Sequence, residues 1–135
     1  MIVADASVVI AAMNPGDAHH DEAQRIILEH GPAGIALHSL TLSEILVGPA
    51  RSGAEGTVRQ KLAAAGIALA PAGDPTPEDL ARVRAATSLA MPDACVLAQA
   101  EHLGVPLATF DKRLARETVA RGVVVLGTSD QAANP

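Results

Sequence analysis

Residues 89–114 constrain the fold of this chain more than any other stretch. They read as a helix that opens at Asp93 and closes at Gly104, a short apolar strand over 105–109, and a second helix that begins at Asp111. Aspartate is favoured at the start of a helix and glycine just after its end. A strand between helices favours an open α/β sheet, in which ligands bind beyond the carboxyl ends of the strands. We therefore expect a functional site close to Asp111.

The remainder of the chain repeats this alternation of short apolar strands and helices. Five strands are predicted, at residues 1–4, 35–38, 67–70, 105–109 and 123–126. Strands separated by helices are typical of parallel sheets, because parallel neighbours need a crossover connection. The sequence predicts an α/β fold with one domain over residues 1–126, built on a five-stranded parallel sheet with helices on both faces. Residues 127–135 are expected to form a polar C-terminal tail.

Local signals give the expected helix boundaries. Ser7 is placed to cap the first helix, and Thr41 with Glu44 matches the capping box, in which a hydroxyl and a carboxylate satisfy free backbone N–H groups. Thr76 followed by Pro77 indicates another helix start. Further helices are predicted over residues 21–30, 58–65 and 112–121, with a loop over 48–56.

Composition limits both the size of the core and its chemistry. The chain has 135 residues, 49% of them hydrophobic, and Phe110 is its only Phe, Tyr or Trp. This suffices for one core built from Ala, Val, Ile and Leu, but it offers almost nothing on which nucleic-acid bases could stack. Cys95 is the only cysteine, so we expect no intrachain disulfide and a buried, apolar role for this residue.

Charge and hydropathy restrict the possible partners and location. The formal net charge is −5, whereas proteins that bind nucleic acid through bulk electrostatics are basic. A nucleic-acid role would therefore depend on a local basic patch, or on metal ions in an acidic site. The apolar N-terminus has no basic region before it, so we expect no signal peptide, and no apolar run is long enough to span a bilayer. We expect a soluble, cytoplasmic protein without a membrane partner.

Four acidic residues are expected to meet at one edge of the predicted sheet. Asp5 follows the first strand and Asp111 follows the fourth, while Glu44 and Asp93 lie at helix starts. Carboxyl ends of parallel strands and the starts of the following helices share one edge. Each carboxylate alone could simply cap a helix. Four negative charges in one cleft repel unless protons or cations intervene, and oxygen ligands select hard cations such as Mg²⁺ or Mn²⁺.

Four short motifs, in this order, resemble those of a known family. They are Asp5-Ala6-Ser7 after an apolar strand, Thr41-Leu42-Ser43-Glu44, Pro92-Asp93-Ala94 and Thr109-Phe110-Asp111-Lys112. The ordered set resembles the acidic motifs of PIN domains. The chain length and the order of the acids are most similar to the ribonuclease toxins of VapC-type pairs, which are type II toxin–antitoxin systems. The resemblance extends over residues 1–126.

The resemblance implies an endoribonuclease that cleaves RNA phosphodiester bonds with Mg²⁺ or Mn²⁺ and metal-activated water. It implies that Asp5 and Asp93 are the direct metal ligands and that Ser7 and Thr109 are supporting hydroxyls. The complete acidic catalytic and metal site would be Asp5, Glu44, Asp93 and Asp111. The resemblance also implies a homodimer and a small antitoxin whose tail enters the acidic crevice. That tail is expected to be basic, since Arg or Lys can pair with the carboxylates in place of the metal.

Two groups of cationic or imidazole side chains leave alternatives open. Lys112 and Arg113 would either border the crevice and hold RNA phosphate, or belong to a solvated helix face. His19 and His20 lie in a polar stretch before a helix, and no third ligand follows at a spacing typical of zinc sites.

The apolar helices and two other families complete the expectations. Helices at residues 21–30, 45–47 and 58–65 carry more apolar positions than one sheet face needs, which predicts the dimer surface. A receiver domain would have a Lys after the fifth strand, and a haloacid dehalogenase-type phosphatase would have Asp where this chain has Ser7. Both fit poorly. A catalytically silent PIN-like interaction module stays as the alternative, which a metal-dependence assay distinguishes.

Overall fold

Short strands and α-helices alternate through residues 1–127, which are the residues described by the computed structural model. The strands are β1 (Ile2–Ala4), β2 (Ile35–Leu37), β3 (Ile67–Leu69), β4 (Leu107–Ala108) and β5 (Val125–Leu126). The helices are α1 (Ala6–Met13), α2 (His20–His30), α3 (Ser39–Ala50), α4 (Glu55–Ala64), α5 (Pro77–Ala86), α6 (Met91–Leu103) and α7 (Lys112–Ala120), with a 3-10 turn at Gly31–Ala33. The tail predicted at 127–135 lies, beyond Gly127, outside the described residues.

The strands form one parallel sheet in the order β3-β2-β1-β4-β5. The predicted five-stranded α/β fold is therefore confirmed. β1 pairs with β2 on one side and with β4 on the other, so the direction in which the chain builds the sheet reverses between β1 and β4. A crevice opens at the carboxyl end of such a switch point, because the connections leave in opposite directions. Asp5 and Thr109 directly follow these two strands.

Two hydrophobic clusters cover the two faces of the sheet. In β1, Ile2 and Ala4 face the cluster that holds α1 to α4, and Val3 faces the cluster that holds α5 to α7. This alternation follows from the two-residue period of a strand. Cys95 is buried in α6, as expected for a small apolar residue. Within residues 1–127, none of the helices has the length and apolar character to cross a membrane.

A close backbone approach joins the starts of β2 and β3. A Cβ on Gly66 would lie 2.0 Å from the carbonyl oxygen of Gly31, and the φ of Gly66 is +88°. Only glycine meets both conditions, because L-residues are strained at positive φ and any side chain would collide with the carbonyl. The two segments that lead into these neighbouring strands can therefore pack directly against each other.

The predicted cap at Asp93 is wrong. Helix α6 begins at Met91 after Ala90, so that Asp93 lies inside the first turn. Pro92 explains the earlier start, since proline suits the first helical positions, where no backbone donor is needed. By contrast, Gly104 does end α6 in the left-handed conformation, and Thr76 Oγ1 does cap α5 by accepting the N–H of Asp79.

Ser7 and Thr41 are not helix caps either. Asp5 occupies the cap position of α1, and Ser7 Oγ instead donates to the Asp5 carboxylate. His38 caps α3 by accepting the N–H of Leu40, which places Thr41 inside the helix and removes the predicted capping box. The predicted loop at 48–56 is also partly wrong, because α3 continues to Ala50 and α4 begins at Glu55.

Candidate active site

Asp5 lies at the centre of the switch point and is held by two hydroxyl groups. Its side chain is nearly buried, with 8% of the residue exposed. Asp5 Oδ2 accepts hydrogen bonds from Ser7 Oγ and Thr109 Oγ1, each over 2.8 Å. Asp5 Oδ1 accepts no hydrogen bond from any residue in 1–127, which leaves this oxygen available to a ligand.

The two hydroxyl groups can point their protons only toward Asp5. Ser7 Oγ accepts the backbone N–H of Phe110 over 3.2 Å, and Thr109 Oγ1 accepts that of Asp111 over 3.0 Å. Because a backbone N–H can only donate, each hydroxyl has its single proton left for the carboxylate. Ser7 and Thr109 therefore fix the orientation of Asp5, and this contact joins β1 to the connection between β4 and α7.

Asp111 lies on the other side of the switch point and also caps a helix. Its Oδ1 accepts the N–H of Leu114 over 2.9 Å at the start of α7, which confirms the predicted cap. The residue is exposed. One carboxylate oxygen thus serves the helix, and the negative charge remains at the crevice, where it acts on Asp93.

Asp93 is affected by the other three acids. Burial, and after it the charges of Asp5, Asp111 and Glu44, together raise the pKa of Asp93 from 3.8 to about 6. A charge shifts a neighbouring pKa in this way only at short range, so the other three acids lie near Asp93. The four acids nominated from the sequence are thus brought together around one crevice.

Glu44 reaches the same crevice from α3. Burial and then the charge of Asp5 raise the pKa of Glu44, although the residue remains exposed at the surface. Since α3 begins five residues before it, Glu44 has no role in capping that helix. None of the contacts within residues 1–127 gives a structural reason for a carboxylate at position 44.

The donor set fits a hard divalent cation. All four side chains offer oxygen, Asp5 Oδ1 is free, and a positive charge would relieve the repulsion around Asp93. Within residues 1–127, no three His, Cys, Asp or Glu side chains converge as a ready-made ligand set. Mg²⁺ is commonly held by one or two carboxylates, with water and substrate phosphate completing its shell. Asp5 and Asp93 suit that mode of binding.

Of the two predicted phosphate-binding cations, one lies at the crevice. Arg113 donates to the carbonyl oxygen of Ser88 over 2.7 Å, and its charge acts to lower the pKa of Asp93. Lys112 is exposed and forms no hydrogen bond or ion pair with the rest of residues 1–127. Of the two, Arg113 is the one whose charge acts on Asp93, and the role of both in binding phosphate stays a prediction.

No sequence pattern indicates the contact that fixes the start of α3. Asp74, in the connection between β3 and α5, accepts the backbone N–H of Ser39 over 3.1 Å and also its hydroxyl. His38 accepts the N–H of Leu40 at Nδ1, so its proton is on Nε2, 3.8 Å from Asp74 Oδ2. Ser39 and Asp74 are 35 residues apart, and no local pattern connects Asp74 with the start of α3. Together they anchor the helix that carries Glu44.

The pKa values of Asp74 and His38 are both lowered, but for different reasons. Burial lowers the pKa of His38, against the attraction of Asp74. Burial acts to raise the pKa of Asp74, but the hydrogen bonds from Ser39 and the neighbouring His38 bring it below its ordinary value. The contact is therefore strongest when Asp74 is ionised.

Residues 2–118 match the PIN domain family. The chain belongs to this family. The match includes all four acids and confirms the resemblance of the ordered motifs. No curated protein matches this PIN domain by sequence.

Solved structures similar to this PIN domain cover most of its length. PAE2754 from Pyrobaculum aerophilum is 26% identical, with a TM-score of 0.63 over 98% of this chain and 97% of that one. A toxin–antitoxin complex from Klebsiella pneumoniae is 25% identical, with a TM-score of 0.65 over 85% of this chain and 91% of that one. VapC20 from Mycobacterium tuberculosis, a sarcin-ricin loop cleaving toxin, is 19% identical, with a TM-score of 0.66 over 92% and 97%. This last likeness shows a shared fold.

Proposed function

We propose that this PIN domain is a divalent-metal-dependent endoribonuclease and the toxin of a toxin–antitoxin system. The observation that carries the proposal is the set of four carboxylates at the switch point of the sheet, whose mutual repulsion helps to raise the pKa of Asp93 to about 6. Helix capping accounts for Asp111 alone. Glu44 and Asp93 cap no helix, so helix capping does not explain them.

Asp5 and Asp93 would hold Mg²⁺ or Mn²⁺, with Glu44 and Asp111 completing the acidic site. When bound, the cation supplies a water of lowered pKa and positive charge beside the phosphoryl oxygen. Ser7 and Thr109 would keep Asp5 Oδ1 turned toward the crevice through their hydrogen bonds to Oδ2. Water would be the nucleophile, so no side chain needs to form a bond to phosphorus.

The RNA backbone needs positive charge close to these acids. The exposed guanidinium of Arg113 uses one N–H for the carbonyl of Ser88 and has others available for a phosphate. Lys112, exposed on the adjacent position, would add a second charge for the neighbouring phosphate. These contacts would position the RNA without reading its sequence.

The proposed toxin role and its partner are supported by similar structures. One is a toxin–antitoxin complex 25% identical to this chain, and the fold is shared with a sarcin-ricin loop cleaving toxin. We propose an antitoxin that places a basic segment over the four carboxylates, where Arg or Lys would replace the charge of the metal. The toxin released from this complex would act on cytoplasmic RNA.

The homodimer proposed for this chain would use its exposed apolar side chains. Leu28 of α2 is 76% exposed and Val47 of α3 is 49% exposed. Large apolar side chains this open to water favour burial against a partner. In α4, by contrast, Leu62 is buried in the core of the domain, so α2 and α3 are the better candidates of the three helices.

Metal dependence tests the proposal most directly. Purified protein is expected to cleave RNA with Mg²⁺ or Mn²⁺, to stop in EDTA, and to recover when the metal is added back. Asp93→Asn should be inactive under all conditions, while Glu78→Gln, which removes an exposed carboxylate from the first turn of α5, should cleave normally. Full cleavage in EDTA would refute the metal mechanism, and no cleavage with any metal would favour the silent interaction module.

The partner and the dimer need separate measurements. Sedimentation at micromolar concentration should show a dimer that Leu28→Glu or Val47→Glu weakens, whereas a monomeric wild type would contradict this part. Co-expression with the neighbouring gene should silence the nuclease if that gene encodes the basic antitoxin. An active nuclease in the presence of the neighbour would count against the toxin assignment.

A further inference from the structure

The only Phe, Tyr or Trp of the chain lies beside the acidic crevice and carries a stacked imidazole. The rings of Phe110 and His19 are parallel within 9°, and their centroids are 4.3 Å apart. Phe110 is partly buried, whereas His19 is exposed. The rings are in van der Waals contact, so no base fits between them. One face of the His19 ring contacts Phe110. The other face points away from Phe110, and His19 is exposed to solvent.

Phe110 is held firmly on its inner side. Its backbone N–H donates to Ser7 Oγ, the hydroxyl that also donates to Asp5. Gly127, with φ at +96°, lies so close that a Cβ there would be 3.0 Å from the ring. The ring is therefore fixed between the end of β5 and His19. Phe110 directly precedes Asp111 in the chain, and its N–H shares Ser7 Oγ with Asp5, so its backbone adjoins the acidic residues.

His19 is held by the connection between α1 and α2. Its backbone N–H donates to Asp17 Oδ1 over 2.8 Å, and α2 begins at the next residue. Two contacts tie the start of α2 to the end of α1. They join His20 Nδ1 to the carbonyl oxygen of Ala11 over 2.9 Å, and Gln24 Nε2 to that of Ala12 over 2.7 Å. The imidazole is thus presented by an ordered segment.

We propose that the outer face of His19, supported from behind by Phe110, stacks an unpaired base of the RNA next to the scissile phosphate. The inference rests on the proposed function. Proteins hold single-stranded RNA by stacking splayed bases on planar side chains, which requires no base-specific hydrogen bond. Composition suggested almost no stacking surface, but a two-ring platform at the crevice is sufficient for one base.

Variants of His19 separate base stacking from packing of the loop. His19→Ala removes the ring, His19→Leu keeps an apolar side chain without a planar face, and His19→Tyr restores a ring. The substrates are a short single-stranded RNA with a mapped cleavage site and the same RNA with one abasic nucleotide on either side of that site. His102→Ala, at the opposite end of α6 from Asp93, is the control. Melting temperatures establish that each variant is folded.

On intact RNA, the Ala and Leu variants of His19 are expected to lose about tenfold in kcat/KM, mainly through KM, while the Tyr variant and the His102 control keep the wild-type value. On the RNA that lacks the stacked base, all of these proteins should cleave equally, because there is nothing left to stack. Equal cleavage of intact RNA by every variant would overturn the inference. A loss for His19→Ala that is the same on both abasic RNAs would also overturn it.

A binding measurement decides the inference independently of cleavage. In the Asp93→Asn background, isotope-edited NMR can follow the ring protons of the five histidines. Adding the single-stranded RNA should shift those of His19 upfield and leave those of His102 in place. If the RNA is bound with this shift and the wild-type protein never cleaves it with Mg²⁺ or Mn²⁺, the proposed nuclease is refuted and the stacking site stands. RNA bound without the shift, or not bound at all, would refute the stacking site.

Discussion

Replacing Asp93 by Asn is expected to stabilise the metal-free protein while abolishing cleavage. Burial and the charges of three neighbouring acids raise the pKa of Asp93 to about 6 from an ordinary 3.8. Because the folded-state pKa lies above that of the unfolded chain, the protonated form favours folding. Its contribution is fully present below about pH 4 and is lost as the pH rises through about 6. At pH 7 the ionised carboxylate therefore opposes folding, and the uncharged Asn removes this cost.

The magnitude follows from the size of the pKa shift. A shift of about 2 units corresponds to about 3 kcal/mol. Asp93 is partly exposed, so screening by solvent reduces the value to about half. A carboxylate in the first turn of α6 also interacts favourably with the helix dipole, and its loss takes away about 0.5 kcal/mol. The net gain for Asp93→Asn is about 1 kcal/mol, or about 4 °C in melting temperature for a domain of this size.

Melting curves with EDTA or Mg²⁺ test this reasoning, together with cleavage assays on the same preparations. In EDTA at pH 7 the variant should melt higher than the wild type, and the difference should shrink toward pH 4. Mg²⁺ at ten times its Kd should stabilise the wild type by about 1.4 kcal/mol and leave the variant unchanged. Glu78→Gln removes a first-turn carboxylate that is far from the crevice, so it should melt slightly lower in every buffer.

Two results would refute the argument. If Asp93→Asn melts at or below the wild-type temperature in EDTA at pH 7, while Glu78→Gln behaves as stated, the four acids do not repel one another as described. If the variant is stabilised by Mg²⁺ as much as the wild type, Asp93 is not a ligand of the metal.

Three other outcomes are expected. Cleavage should fall below about pH 6, because protons compete with Mg²⁺ for Asp93. The midpoint of this pH profile should move to lower pH at higher Mg²⁺ concentration. A midpoint insensitive to Mg²⁺ would assign the titration to another group. Asp74→Asn should cost about 1 kcal/mol in urea unfolding at pH 7. The deficit should shrink below about pH 4, since the hydrogen bonds from Ser39, outweighing burial, hold the pKa of Asp74 below its ordinary value; a deficit independent of pH would contradict this. Gly66→Ala should cost about 3 kcal/mol or more, because its Cβ would lie 2.0 Å from a backbone oxygen. Gly53→Ala, at φ +71° with open space around it, should cost only about 1 kcal/mol of backbone strain, and similar losses for both would refute the close-contact explanation.

The fold class and the identity of the four acids could be predicted because both depend on local pattern. Short apolar runs separated by helices pair in parallel only through crossovers, and this places the residues that follow each strand at one edge. The helix caps at Thr76 and Asp111 were also predicted correctly. Each side chain accepts the backbone N–H of the residue three positions later. In each of these cases the interaction energy comes from neighbours in the sequence.

Side chains with several possible partners could not be assigned in this way. Serine commonly caps helices, but the hydroxyl of Ser7 donates a hydrogen bond to Asp5 and accepts one from the backbone N–H of Phe110, 103 residues away. Thr109 similarly donates to Asp5 across 104 residues. A polar side chain takes whichever partner the fold places within reach, and the sequence shows only the nearby candidates.

The sequence alone determined an α/β domain with acids after its strands, because strand and helix periodicity and turn residues act over a few positions. Only the tertiary structure decided the strand order, which places Asp5 and Asp111 on the two sides of one switch point. It also decided that Asp93 is partly buried among like charges, and that His19 stacks on Phe110. Electrostatic repulsion, desolvation and ring stacking depend on distances through space, and these distances exist only once the chain has folded.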